Sequence, residues 1–138
     1  QPGILNAPGI HDLVNQSLTA LESAIKQKQI ILETDIQETF PPIDLSKASE
    51  LIPITLEVWI KRAAANSQGF IKAGVINDNG SKTFFFEVNG MTDTPIDDEK
   101  SEDILDLKSL LDQQHGQLTI VSEKDGTNTL KMTLPVPS

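Results

Sequence analysis

The sequence predicts a two-layer α/β (α+β) sandwich of five strands and three helices. Two kinds of periodicity predict it. Three stretches repeat apolar residues at steps of three and four, and five short stretches alternate apolar with polar residues. Turn residues separate them, and a length of 138 residues suits one domain.

Residues 1–9 are punctuated by Pro and Gly and read as a lead-in to a domain spanning 10–136. Ile10, Leu13, Val14, Leu18, Leu21 and Ile25 then share one face of a helix over residues 10–28. Gln16, Glu22 and Lys26 lie opposite. A strand follows at 30–36, with Leu32, Thr34 and Ile36 on one side and Glu33 and Asp35 on the other. Pro41-Pro42 ends it. The second helix lies within 44–66, capped by Asp44 or Ser46, and either begins near Glu50 or kinks at Pro53.

After Gly69 the period becomes two. Phe70–Ile76 and Thr83–Val88 are strands joined by Asn77-Asp-Asn-Gly80, a hairpin signal. Phe84, Phe86 and Val88 point one way, Phe85 and Glu87 the other. Residues 89–101 form a polar loop. Ser101 caps a third helix reaching about His115, with Ile104, Leu107 and Leu111 as its stripe and Gly116 as its stop. Strands Leu118–Ser122 and Thr129–Leu134 close the chain around Asp125-Gly126. There is no internal repeat and no second domain. With every helix on one face, the other face of the sheet is solvated or covered by a partner.

Composition excludes several functions. Twenty acids against 11 bases give a net charge of −9, which argues against nucleic acid. The absence of cysteine removes disulfides, thiolate metal sites and thiol nucleophiles. Two histidines leave little for an imidazole site. No run approaches the ~20 apolar residues of a membrane span. No signal peptide is visible, and a chain that opens on Gln1 need not begin at its natural N-terminus.

Several segments, in order, form a pattern: Asp12-Leu-Val-Asn-Gln-Ser-Leu18, Lys28-Gln-Ile-Ile-Leu-Glu-Thr34, Phe40-Pro-Pro-Ile43, Leu110-Leu-Asp-Gln-Gln-His-Gly-Gln-Leu118 and Thr129-Leu-Lys-Met-Thr-Leu-Pro135. Together they resemble the catalytic and ATP-binding domain of two-component sensor histidine kinases, a member of the GHKL superfamily with the Bergerat fold, which implies a mixed five-stranded sheet with the three helices packed on one face. The resemblance covers residues 11–136. It implies a cytoplasmic domain. Full-length proteins of this kind are usually dimeric and often membrane-anchored, and the isolated domain is usually monomeric.

The nucleotide motifs depart from that pattern. The family carries two asparagines four residues apart on its second helix, one for Mg²⁺ and one for phosphate. Glu57 and Lys61 stand there. Glu57 is a metal candidate, as a hard oxygen ligand, and Lys61 a phosphate contact; the same two residues also read as a surface ion pair at i, i+4. The family's adenine-binding aspartate follows the second hairpin strand, where Val88, Asn89 or Gly90 falls, none of them acidic. Its last motif, Gly-x-Gly-Leu, sets backbone amides against phosphate at a helix start. Glu102, Asp103, Ile104 and Leu105 stand in its place, so the anion site receives carboxylates. Thr129 aligns with a threonine at the adenine end.

Other chemistry finds little support. His11-Asp12-Leu13 looks like the start of a phosphoacceptor motif, but Val14-Asn15 replaces its Thr-Pro. His115 suits a helix C-terminus. Asp97-Asp98-Glu99 reads as solvated, and Trp59 and Phe84–Phe86 read as core. No Gly-x-Ser-x-Gly, His-Glu-x-x-His or Walker motif occurs.

The expectation is therefore a degenerate histidine-kinase-like domain without ATP or Mg²⁺. It would act on a helical dimerisation or phosphotransfer domain, a response regulator or a partner kinase. The alternatives are a divergent active kinase binding Mg-ATP, the regulatory part of a histidine phosphotransfer protein, or an unrelated α/β module. Residues 92–106 hold seven acids and one base, a net of −6. Most of the acidity thus sits where the family closes over phosphate.

Overall fold

A computed structural model describes residues 4–5, 7–37, 43–44, 48–93 and 101–136. The expectations for Phe40–Pro42, Ser46 and Asp97–Glu99 lie outside these residues. The order is β1 (Ile4–Leu5), α1 (Ala7–Ala20), α2 (Glu22–Lys28), β2 (Ile31–Ile36), β3 (Ile43–Asp44), α3 (Ala48–Arg62), β4 (Gln68–Asp78), β5 (Ser81–Met91), α4 (Glu102–Gln113), β6 (Gln117–Ser122) and β7 (Thr127–Pro135). The main sheet runs β2-β4-β5-β7-β6. Its β2–β4 pair is parallel and the others are antiparallel, so the sheet is mixed as expected.

One face of the sheet meets the helices. Ile71, Phe84, Phe86, Val88, Leu130, Met132 and Leu134 join Ile10 and Val14 of α1, Leu51, Leu56 and Trp59 of α3, and Ile104, Leu107 and Leu111 of α4 in a single core. The outer face is solvated. Strand register places Asp35, Lys72, Glu87 and Lys131 side by side across β2, β4, β5 and β7. Charges alternating across strands suit a face turned to water.

Several boundaries differ from the sequence reading. The first helix starts at Ala7 rather than Ile10, and β1 pairs with β3 inside the expected lead-in. That helix also breaks at Leu21 into α1 and α2, which brings the described helices to four. Asp44 is paired with Ile4 in a strand and is not a helix cap. α3 begins at Ala48 and carries Pro53 inside it, so the carbonyl of Ser49 lacks its helical donor there. Asn89–Met91 extend β5 rather than opening a loop.

α4 ends in a Schellman motif one residue ahead of the expected glycine stop. His115 takes the left-handed conformation at φ 59°. The N–H of Gly116 donates to the Leu111 carbonyl at 2.7 Å, and that of His115 to Asp112 at 3.1 Å. Gly116 is needed for space instead, since a Cβ there would lie 2.6 Å from the Thr133 carbonyl oxygen. The hairpin signal holds: Asn79 and Gly80 both take positive φ between the paired Asp78 and Ser81.

Candidate functional site

The C-terminal half of α3, the end of β5 and the first turn of α4 converge. Four contacts close this junction. Ala64 N–H donates to the Met91 carbonyl at 3.0 Å, and Asp93 N–H to the Arg62 carbonyl at 2.9 Å. From α2, the Lys28 ammonium donates to the carbonyls of Ile60, Lys61 and Ala63 at 3.0, 2.8 and 3.0 Å. It thereby caps the negative end of α3.

The fourth contact lies at the start of α4. Arg62 grips Asp103 with a two-pronged pair, Nη1 to Oδ2 and Nη2 to Oδ1, both at 2.8 Å. Nη1 also donates to the Val58 carbonyl at 3.0 Å. Asp103 Oδ1 accepts the N–H of Ile104 at 2.9 Å, so one carboxylate serves both the arginine and the helix start. The side chains are 10% and 28% exposed. The Arg62 hydrogen bonds hold the Asp103 carboxyl below its ordinary value against the opposing pull of burial; the arginine charge, the Ile104 N–H and the Lys61 charge add to the lowering.

Other expected site residues are distributed as follows. Glu57 and Lys61 are exposed one turn apart on α3, with no ion pair between them within 4.0 Å. The surface ion pair is therefore not formed. Glu102 is exposed, Leu105 is 47% exposed, and Ile104 is fully buried in the core. Val88 and Gly90 face the helices. A Cβ on Gly90 would lie 2.7 Å from Trp59 Cζ2, and one on Gly69 equally close to Trp59 Cη2. The indole therefore fills the space over the end of β5, and its Nε1 has no hydrogen-bond partner among the described residues. Asn89 and Thr129 are paired neighbours on the opposite, outer face of the sheet.

Among the described residues no group of three His, Asp or Glu side chains gathers to hold a metal. His11 is exposed on α1. No helix of the described residues is long and apolar enough to cross a membrane.

Arg62 is the residue that sequence reasoning passed over. Its signal is present: α3 buries Val58 and Trp59, Ala63 just beyond it is also buried, and a cation within that stripe requires a partner.

No family model and no curated protein matches the chain. Solved structures do. The fold is that of histidine-kinase catalytic domains. The chain is similar to the Acinetobacter baumannii histidine kinase AdeS, with a TM-score of 0.76 at 12% identity over 98% of this chain and 67% of that one. It is similar to the nucleotide-free catalytic domain of the histidine kinase ThkA, with 0.72 at 12% identity over 96% and 94% of the two chains. ThkA in complex with the response regulator protein TrrA gives 0.65 at 12% identity, over 92% of this chain and 40% of that one.

Proposed function

We propose that the chain is the catalytic-type domain of a two-component histidine kinase whose nucleotide cleft is filled by its own side chains, so that it acts through protein contacts. The Arg62–Asp103 pair carries this reading. The Asp103 carboxylate sits where the resemblance implies a phosphate-binding glycine run and takes up the Ile104 N–H at the helix start. Ile104, at one of those glycine positions, belongs to the core. Trp59 occupies the space over Gly90 at the expected adenine end. Asn89, the residue there able to accept a hydrogen bond, faces away from the helical layer.

A helical dimerisation domain or a response regulator is the proposed partner. The similarity to ThkA, solved with a response regulator, supports the second. Isothermal calorimetry with Mg-ATP tests the reading. No heat of binding up to millimolar nucleotide is expected; a low micromolar dissociation constant overturns it.

A second reading, a divergent active kinase, draws on one observation. Glu57 and Lys61 share an exposed helix face without pairing to each other. Under it Glu57 holds Mg²⁺ and Lys61 the phosphates, while Asn89, on the outer face of the sheet, cannot take the adenine. It fails if Glu57→Ala and Lys61→Ala both leave a measured phosphotransfer intact.

A further inference from the structure

Among the described residues, β2 and β6 form the two unpaired edges of the five-stranded sheet. They differ in chemistry. β2 carries Glu33 and Asp35, and charge on an edge strand discourages pairing with another chain. β6, Gln-Leu-Thr-Ile-Val-Ser, carries neither charge nor proline. The bond from Glu123 N–H to the Thr127 carbonyl fixes the phase of the β6–β7 ladder. With Thr119 opposite Lys131 and Val121 opposite Thr129, the amides of Thr119 and Val121 turn toward β7. The N–H and C=O groups of Leu118, Ile120 and Ser122 turn to the open side. Two of the large exposed apolar side chains flank this edge: Val121 on the outer face and Leu105 on α4, each 47% exposed. A groove lined by Leu105, Ser109, Asp112 and Leu118 runs between α4 and β6.

We propose that β6 pairs antiparallel with β6 of a second copy about a two-fold axis at Ile120, joining the two sheets edge to edge. Leu118 then exchanges hydrogen bonds with the second copy's Ser122, and Ile120 with its own counterpart. On the outer face Thr119 lies opposite the second copy's Val121. A second copy is the occupant because the strand is self-complementary: within β6 no charge meets a like charge across the axis. The same pairing of β2 about Thr34 sets Glu33 against Asp35. The net charge of −9 opposes association at long range, and salt screens it over ~8 Å at physiological ionic strength. The contact is small, so the dimer is weak, and it tightens with added salt.

Sedimentation and amide exchange of the 138-residue chain test this, from about 10 μM to about 1 mM, the range that brackets a weak contact. The expected result is a concentration-dependent dimer in which the Leu118, Ile120 and Ser122 amides exchange more slowly as it forms. Thr119→Lys with Val121→Lys sets lysine against lysine twice and weakens the dimer by about tenfold. Thr119→Lys with Val121→Glu sets opposite charges together and restores it. Both side chains are exposed, and circular dichroism confirms that the fold is kept. A monomer at every concentration overturns the proposal. So does a dimer that responds equally to both double variants, or to neither.

Discussion

Removing Asp103 tests the junction directly. Asp103→Ala strips two charge-assisted hydrogen bonds from a guanidinium that is 10% exposed and leaves it, among the described residues, the Val58 carbonyl. Bonds to charged groups contribute about 1.5–3 kcal/mol each, and a carboxylate in a first helical turn adds about 0.3–1 kcal/mol. The carboxylate is 28% exposed, so water replaces part of what is lost. The expected cost is about 2–3 kcal/mol. Arg62→Met costs less, about 1–2 kcal/mol, because Asp103 keeps the Ile104 N–H and its solvent side while the methionine fills the buried stem. The order of the two costs is thus a signature of the geometry. Urea denaturation at unchanged m-value measures both, and the double variant closes a cycle with a coupling of about 1–2 kcal/mol. The pair also sets a pH dependence. A carboxyl held below its ordinary 3.8 contributes stability that is fully present above that value and is lost as pH falls through the lowered one. Asp103→Asn flattens the stability curve in that acid window. A coupling below about 0.5 kcal/mol, the range of independent sites, refutes the reasoning.

Other perturbations follow from single contacts. Lys28→Met removes three donors from the end of α3 and costs about 1–2 kcal/mol, with faster amide exchange near Ala63 and Ala64 as the local readout. Gly90→Ala forces a Cβ to within 2.7 Å of Trp59 and 2.8 Å of the Gln68 carbonyl oxygen. It costs about 1–3 kcal/mol in urea titrations and shifts the fluorescence of the single tryptophan. Gln29→Gly and His115→Gly relieve left-handed backbone at φ 56° and 59° and each raises stability by about 0.5–1 kcal/mol in thermal melts.

The sheet and the helical stripes were legible because burial follows period. Phe84, Phe86 and Val88 alternate into the core, and Ile104, Leu107 and Leu111 repeat at helical spacing; all six are fully buried. Boundaries were less legible where a local rule competed with a tertiary one. Gly116 looked like a helix stop because glycine favours positive φ, yet His115 takes that conformation while Gly116 is held glycine by the Thr133 carbonyl oxygen. Asp44 looked like a cap, but its strand pairing with Ile4 joins residues too far apart in sequence for any local pattern to reveal. The Arg62–Asp103 pair spans 41 positions and was hidden for the same reason. Its acidic half was visible, and its cation was one position beyond the Lys61 that motif spacing singled out.

This places the acidity of the sequence in a different light. Asp103 belongs to the run at 92–106 that holds most of the net charge, and composition alone describes that run as repelling phosphate. The structure gives Asp103 a further task. A helix start presents unsatisfied N–H groups and positive potential, which a bound anion or an internal carboxylate can satisfy. Asp103 does so from within and at the same time neutralises a buried arginine. Ile104, beside it, has the side chain a glycine lacks and places it in the core. Glycine in place of Ile104 would empty that part of the core. Under the proposed reading, return toward a nucleotide site therefore requires more than one substitution: the carboxylate must go, and Arg62 needs another anion.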